Sequence, residues 1–248
     1  MRDLRWLTAR PIAHRGLHNA ATGVIENTAT AFAAAIAGGY GIETDVQISA
    51  DGEAMVHHDF ALGRLTLGSR LLAAMTAAGL KEVPFKTTAD RMMTLGELCD
   101  FVAGRTPLVI ELKSRFDGDC RLAARTADVL RDYAGPVAVM SFDPGPVQAL
   151  RETAPGLPRG IVAERYYKDS EWYQLSDSRK RSLAFLLHGY RTRPHFIAYN
   201  VKDLPSPGPW IARNVFGLPL LTWTVRSEDD RKGAERWADQ MIFESFKP

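Results

Sequence analysis

The sequence contains little cysteine and no excess of one charge. Among its 248 residues, Cys99 and Cys120 are the two cysteines, and 31 basic residues nearly balance 29 acidic ones. Two cysteines cannot build a disulfide framework, so we expect buried, reduced thiols and a cytoplasmic location. A net charge of +2 provides no broad field of one sign, so we expect no nucleic-acid partner.

Long apolar runs are also missing. Residues 1–16, MRDLRWLTARPIAHRG, contain no extended hydrophobic segment of the kind found in secretory signals or membrane spans. We therefore expect no integral membrane association, and any lipid-derived substrate would be met as a soluble headgroup. Because the sequence also lacks an internal repeat, a low-complexity tract and a linker, we expect one domain over residues 1–248, whose oligomeric state is unknown.

The sequence does contain alternating β-like and helix-like segments. The predicted strands are PIAH, GIETDV, LVIEL, VAVMSF, GIVAE, FIAYNV, LLTWTV and QMIFES. Helix-like spacing of apolar residues is found near residues 27–37, 94–103, 120–133, 145–153, 171–188, 208–216 and 228–238. Asp169 or Ser170 should begin one of these helices and Ser227 another. Such alternation in fewer than 250 residues favours an α/β fold, a closed (β/α)8 TIM barrel, over an open sheet.

The second predicted strand departs from this alternation. The segment AMVHH follows it after only a few residues, whereas a parallel crossover needs a dozen or more. We therefore predict a hairpin that turns at Asp51-Gly52 and returns His57 and His58 to the mouth of the barrel. Residues 60–93, the least regular part of the chain, are predicted to be a short insertion after this strand.

Polar side chains recur where the predicted strands end. They are His14 and Arg15, Glu43 and Asp45, Glu111 and Lys113, together with His58 from the hairpin. Three carboxylates without a cysteine favour a hard cation such as Mg²⁺ or Ca²⁺. An arginine and a lysine beside that cation would neutralise an anionic phosphate, and two histidines could exchange protons with it.

Each of these residues also has a simpler interpretation. Glu111 and Lys113 could form a structural ion pair, His14 could cap a strand, and His57-His58 could lie on the surface of the hairpin. Their coincidence at the mouth ends of otherwise apolar strands favours a functional site. His18, His188 and His195 show no such clustering, and we interpret them as structural.

Several motifs, in order and spacing, resemble the glycerophosphodiester phosphodiesterase family. These are IAHRG, ENT, IETDV, DGEAMVHHD, Arg64-Leu65-Thr66, TLGELCDFV, IELK, SFD and WTV, which together cover nearly the whole chain. The resemblance implies a (β/α)8 barrel that hydrolyses a small-molecule glycerophosphodiester to glycerol 3-phosphate and an alcohol.

The same resemblance implies roles for individual residues. Glu43, Asp45 and Glu111 match the ligands of one divalent cation, and His14 and His58 match the acid–base pair. His58 is preferred to His57 because it directly precedes Asp59. Arg15 and Lys113 match phosphate-contacting positions, Trp223 matches an aromatic residue that lines the mouth, and Glu26 and Asn27 match residues expected to order the loop behind His14.

Two departures from the family pattern concern the last strand and the insertion. Relatives often end that strand in Thr-Asp followed shortly by Pro, whereas this chain has Phe243-Glu244-Ser245 and ends at Pro248. The insertion is too short for a separate domain. We expect both departures to affect the rim of the pocket more than its chemistry.

Two alternatives remain open. One is a phospholipase D-like activity on lysophospholipids or sphingolipids, and the other is a catalytically silent barrel that binds a phosphorylated ligand.

Overall fold

Eight parallel strands close into a barrel in the computed structural model, which describes residues 3–168 and 172–248. The strands are β1 (Ile12–Ala13), β2 (Gly41–Ile48), β3 (Ala54–Val56), β4 (Leu108–Leu112), β5 (Val137–Ser141), β6 (Arg159–Ala163), β7 (Phe196–Asn200), β8 (Leu220–Val225) and β9 (Gln240–Phe243). All except β3 belong to the barrel, and β1 closes it by pairing with both β2 and β9. The predicted TIM barrel is confirmed.

Helices alternate with the barrel strands, and most of them cover the outer faces of the strands. They are α1 (Arg5–Thr8), α2 (Ala29–Ala37), α3 (Ala77–Lys81), α4 (Leu95–Val102), α5 (Arg121–Leu130), α6 (Pro144–Thr153), α7 (Asp177–Ala184), α8 (Gly189–Thr192), α9 (Pro207–Asn214) and α10 (Glu228–Trp237). Ser227 begins α10 as predicted, since its hydroxyl accepts the Asp230 N–H at 3.2 Å. Among the described residues, no helix combines the length and apolar character needed to cross a bilayer.

The helix predicted over residues 171–188 is wrong in extent. Within the described part of the chain, α7 begins only at Asp177, because the Ser176 hydroxyl accepts the Arg179 N–H at 3.3 Å and caps the helix there. The helix ends at Ala184, and Leu186 then adopts a left-handed φ of +57° that cannot continue it. The alternative predicted caps, Asp169 and Ser170, lie outside the described residues.

The predicted hairpin is confirmed. Strand β3 runs antiparallel to β2, with Val46 opposite Val56 and Ile48 opposite Ala54, and it lies outside the closed barrel. Residues 60–93 form a 3₁₀ turn at Leu72–Ala74 and the short helix α3 beside this hairpin. Their apolar side chains pack with Met55 of β3 in a separate small core. The hairpin is therefore supported on the side away from the barrel.

Side chains alternate between the inside and the outside of the barrel, except in β8, whose register shifts between Thr222 and Val225. In β4, Val109 packs in the interior, whereas Ile110 and Leu112 pack outward in the main core beneath the helices. In β2, Ile42 and Val46 likewise face outward. The interior cluster comprises Leu7, Ile12, Val109, Ala138, Met140, Val162, Phe196, Ala198, Leu221 and Ile242. The inward-facing side chains of successive strands, called here the inward rows, therefore form an apolar interior below the carboxyl ends of the strands.

Gly16 holds the turn that follows β1. Its φ is +80°, and a Cβ atom added there would lie 2.9 Å from the main-chain carbon of Ala31 in α2. Neither the backbone conformation nor the space suits another residue. Close packing of this turn on α2 fixes the chain directly after His14.

We expect Gly16→Ala to lower the free energy of unfolding by about 2–5 kcal/mol, through left-handed strain and overpacking. Gly39→Ala is a matched control, because Gly39 has a φ of +73° but nothing within 4 Å of an added Cβ. Gly39→Ala should lower the free energy of unfolding by only about 1–2 kcal/mol. Urea denaturation of both variants measures the difference, and equal losses would contradict the packing argument.

Candidate active site

A cavity of about 300 Å³ opens at the carboxyl ends of the barrel strands. Its lining includes His14, Arg15, Glu43, His58, Glu111, Lys113, Phe142, Glu164, Trp172, Asn200, Trp223 and Arg226. A larger depression of about 760 Å³ lies beside α5 and α6, but the titratable groups that line it are only Asp128, Arg131 and Tyr133. The chemistry of the lining therefore places the candidate site in the smaller cavity.

Three buried carboxylates meet at one side of this cavity. One oxygen each from Glu43, Asp45 and Glu111 lie within 4.8 Å of one another, and the register of β2 and β4 sets Asp45 beside Glu111. Burial raises the pKa of Glu43 and of Glu111, and the charge of Asp45 adds to both increases. A divalent cation held by oxygen ligands fits this donor set, because it would relieve the repulsion among the carboxylates.

Two basic side chains lie against the same carboxylates. The Lys113 ammonium lies 3.0 Å from Asp45 Oδ1 and 2.6 Å from Glu111 Oε1. Arg15 donates its backbone N–H to Glu43 Oε2 at 3.0 Å, and its Nε lies 3.3 Å from Asp45 Oδ2. Burial alone would raise the pKa of Asp45, but Lys113 and Arg15 hold that pKa well below its ordinary value. The site thus combines three acidic groups with two basic groups that border the cavity.

His14 is oriented by a carboxylate from the last strand. Its Nδ1 lies 2.5 Å from Glu244 Oε2, and Arg226 donates to the other oxygen of Glu244 at 2.5 Å. Burial lowers the pKa of His14 to about 4, so its imidazole is neutral at pH 7. Burial would raise the pKa of Glu244, but His14, His18 and Arg226 hold it well below its ordinary range. Nδ1 must therefore carry the hydrogen, which leaves the Nε2 lone pair free, 3.9 Å from Glu43 Oε2.

His58 is oriented in the same way from the hairpin. Its Nδ1 lies 2.8 Å from Asp59 Oδ1, and Arg64 donates to the other oxygen of Asp59 at 2.7 Å. Gln47 donates to the carbonyl oxygen of His58 at 2.7 Å and fastens the hairpin to β2. His57 is buried outside the cavity, where its Nδ1 accepts the Asp59 N–H at 3.0 Å. Both cavity-lining histidines thus have Nδ1 engaged by a carboxylate.

Glu26 and Asn27 lie directly behind these groups. Glu26 Oε1 accepts from Arg15 at 2.8 Å and from Arg64 at 2.7 Å. Asn27 donates its backbone N–H to the Arg15 carbonyl at 2.9 Å and its side-chain N–H to Asp45 Oδ2 at 3.0 Å. The predicted EN motif therefore orders the loop after His14 and also orients a carboxylate of the site.

Three aromatic residues, Phe142, Trp172 and Trp223, also line the cavity. Trp223, which the sequence pattern indicated, packs edge-on against Phe142 with ring centroids 5.4 Å apart. Phe142 also contacts Trp172 at 4.8 Å. Sequence reasoning placed Trp172 among the candidates for the rim of the pocket but missed Phe142, Glu164 and Asn200, although these three continue the inward rows of β5, β6 and β7.

Glu244 is the most consequential residue that the sequence analysis misplaced. The departure at Phe243-Glu244-Ser245 was expected to affect the rim, but Glu244 contacts His14 inside the site. Its inward position follows from the alternation of β9, in which Ile242 packs in the barrel interior two residues earlier. The alternation of inward and outward side chains along β9 would therefore have predicted that Glu244 faces inward.

The sequence also matches a known family. Residues 14–244 match the model of the glycerophosphoryl diester phosphodiesterase family. The chain belongs to this family. It is therefore a phosphoric diester hydrolase, and the family resemblance seen in the motifs is confirmed.

Named relatives of the chain agree with this family assignment. A glycerophosphodiester phosphodiesterase of Caldanaerobacter subterraneus subsp. tengcongensis is 27% identical over 242 residues, which cover 93% of this chain and 92% of the relative. An Oleispira antarctica phosphodiesterase, solved in complex with the product sn-glycerol-3-phosphate, aligns with a TM-score of 0.78 at 20% identity, covering 97% of this chain and 95% of that chain. A Thermotoga maritima glycerophosphodiester phosphodiesterase aligns with a TM-score of 0.69 at 24% identity, covering 94% and 92%. The two structures share the fold.

The Glu244 contact leads to a prediction about turnover. Glu244→Gln should lower kcat by about 10²-fold or more with little change in KM, because an amide can present N–H to Nδ1 and favour the wrong tautomer of His14. Glu244→Asp should recover part of the loss, since it keeps the carboxylate. Steady-state kinetics measures both variants.

Glu235→Gln serves as the control for Glu244→Gln. Glu235 forms an i,i+4 ion pair with Arg231 on the outer surface of α10. Its loss should leave kcat unchanged. If Glu244→Gln also turned over at the wild-type rate, the positioning role of Glu244 would be refuted.

Proposed function

We propose that this enzyme hydrolyses glycerophosphodiesters to glycerol 3-phosphate and an alcohol. The observation that carries the proposal is that two imidazoles, each held by a carboxylate at Nδ1, open onto one cavity with three clustered carboxylates. Membership of the family and the product named in the Oleispira antarctica structure support the same substrate class.

One divalent cation, Mg²⁺ or Ca²⁺, would be held by Glu43, Asp45 and Glu111. Both ions prefer oxygen ligands, and the three side chains supply such ligands from neighbouring strands. When bound, the cation would oppose the negative charge on the phosphate oxygens. Lys113 and Arg15 border the same part of the cavity and would contact the phosphate directly.

The two histidines would divide the proton transfers between them. Neutral His14 has a free lone pair at Nε2, so it accepts the proton of the attacking hydroxyl. His58 donates a proton from Nε2 to the departing alkoxide oxygen, with ionised Asp59 stabilising its cationic form. Burial would raise the pKa of Asp59, but His58 and Arg64 hold it below its ordinary value. Trp223 would pack against the organic part of the substrate at the mouth.

The attacking hydroxyl is either the glycerol 2-hydroxyl or water. Attack by the 2-hydroxyl forms one P–O bond, breaks the P–O bond to the alcohol and gives a cyclic phosphate that water then opens. Direct attack by water gives glycerol 3-phosphate in one step. Phosphorus NMR during turnover separates the two routes, because only the first accumulates a cyclic glycerophosphate signal.

The proposal is tested with a panel of substrates. Glycerophosphocholine, glycerophosphoethanolamine and glycerophosphoglycerol are assayed for glycerol 3-phosphate release, beside detergent-dispersed lysophosphatidylcholine. Release from the soluble diesters is the expected result. Preferential cleavage of the lysolipid would replace the proposal with the phospholipase D-like alternative, and calorimetric binding without turnover would replace it with a silent binding barrel.

A further proposal concerns the domain organisation and the cellular location of the enzyme. We propose that residues 1–248 form one domain with residues 60–93 as its insertion, and that the enzyme works in the cytoplasm. Cys99 is buried as expected, whereas Cys120 is only partly buried, and both thiols are free, which supports a reducing compartment.

Removal of the cation should abolish hydrolysis. EDTA should stop turnover, and added Mg²⁺ or Ca²⁺ should restore it. Asn27→Ala, which removes the donor to Asp45, should weaken cation binding by about 10–100-fold in calorimetry. Full activity in EDTA, with no metal found by elemental analysis, would contradict the cation site.

Replacement of either cavity-lining histidine should slow the chemical step. His14→Ala and His58→Ala should each lower kcat by about 10²–10⁴-fold while cation binding survives, because neither side chain is a proposed ligand. His57→Asn is the matched control, since His57 lies outside the cavity and asparagine can still accept the Asp59 N–H. An inactive His57 variant beside an active His58 variant would reverse the assignment.

A further inference from the structure

A second cluster of potential metal ligands lies beside the carboxylate cluster. It consists of His14, His18 and Glu244, each of which offers one ligand atom within 4.8 Å of the others. Glu244 Oε2 lies 2.5 Å from His14 Nδ1 and 3.5 Å from His18 Nε2. The catalytic proposal leaves His18 without a function, and the contact of its buried Nε2 with Glu244 Oε2, at 3.5 Å, is long for a hydrogen bond.

The position of His18 is fixed by the backbone. Its N–H donates to the Gly16 carbonyl at 3.0 Å, and the preceding Leu17 N–H donates to the Ala31 carbonyl of α2 at 3.0 Å. Arg226 occupies Oε1 of Glu244, which leaves Oε2 directed at the two imidazoles. The three donor atoms therefore lie within 4.8 Å of one another, on backbone that is held by hydrogen bonds.

This donor set differs in kind from the first cluster. Two imidazoles and one carboxylate suit Zn²⁺ and similar transition metals, whereas Mg²⁺ and Ca²⁺ prefer oxygen ligands. Ligands that lie about 2.0–2.1 Å from a tetrahedral Zn²⁺ are about 3.3 Å from one another. The distances from Glu244 Oε2 to His14 Nδ1 and to His18 Nε2, 2.5 Å and 3.5 Å, lie on either side of this value. The ion could bind after small side-chain adjustments.

We propose that His14, His18 and Glu244 form an inhibitory site for a transition-metal ion such as Zn²⁺. The ion would replace the hydrogen on His14 Nδ1, and that hydrogen would move to Nε2 of the same neutral ring. No proton is gained or lost by the ring, but Nε2 then has no lone pair with which to accept the proton of a nucleophile. Binding stands independently of the proposed function, whereas inhibition rests on the proposed role of His14.

The test begins with binding. Zn²⁺ is titrated calorimetrically into the wild-type protein and into His18→Ala, both in excess Mg²⁺. The wild type should bind one Zn²⁺ per chain, and His18→Ala should bind it at least about 10-fold more weakly. His195→Ala, at the opposite end of the barrel beside the start of β7, is the control and should match the wild type. Equal zinc affinity in all three proteins, or displacement of zinc by more Mg²⁺, would overturn the site.

The second arm measures inhibition. Zn²⁺ should inhibit glycerophosphocholine hydrolysis by the Mg²⁺-loaded wild type, and His18→Ala should retain its zinc-free turnover while needing at least about 10-fold more Zn²⁺ for the same inhibition. Identical inhibition curves would refute the role of His18. A wild type without any zinc-free turnover would refute the proposed function instead, and the binding arm would still decide whether the zinc site exists.

Discussion

Mutual repulsion among three buried carboxylates is the constraint around which the rest of the site is arranged. Glu43, Asp45 and Glu111 lie too close together and too far from water to be stable as three uncompensated charges. Lys113 and Arg15 supply compensating charge, and an apolar core outside the barrel holds the strands that carry them. The arrangement is costly for an isolated fold and well suited to attract a cation and a phosphate.

His14 and His58 are oriented by the same kind of contact, but the carboxylates that make it come from different parts of the chain. Asp59 engages His58 from the next position in sequence, whereas Glu244 engages His14 from the far end of the chain. An arginine holds the second oxygen of each carboxylate, Arg64 in one case and Arg226 in the other. In both cases the ring nitrogen nearer the backbone is engaged by a carboxylate, and the ring lines the cavity.

Local patterns account for what the sequence could predict. The barrel, the hairpin at Asp51-Gly52 and the convergence of Glu43 with Glu111 all follow from short-range alternation and turn chemistry. The same alternation indicates that Glu244 faces inward, but its contact with His14 could not be predicted in this way, because the contact spans 230 positions and depends on which strands close the barrel. The extent of α7 was also mispredicted, since its end depends on the left-handed backbone of one leucine, which no composition signal marks.

Closure of the barrel between β1 and β9 has a consequence for biosynthesis. Ribosomes release the amino-terminal side first, so His14 emerges long before the residues that orient it have been translated. Until β9 docks, β1 and β8 each present an unpaired edge, and the imidazole of His14 is free to rotate in water. The orientation of His14 is therefore among the last features that a nascent chain acquires, and a chain without β9 would carry most of the cavity-lining side chains but not this contact.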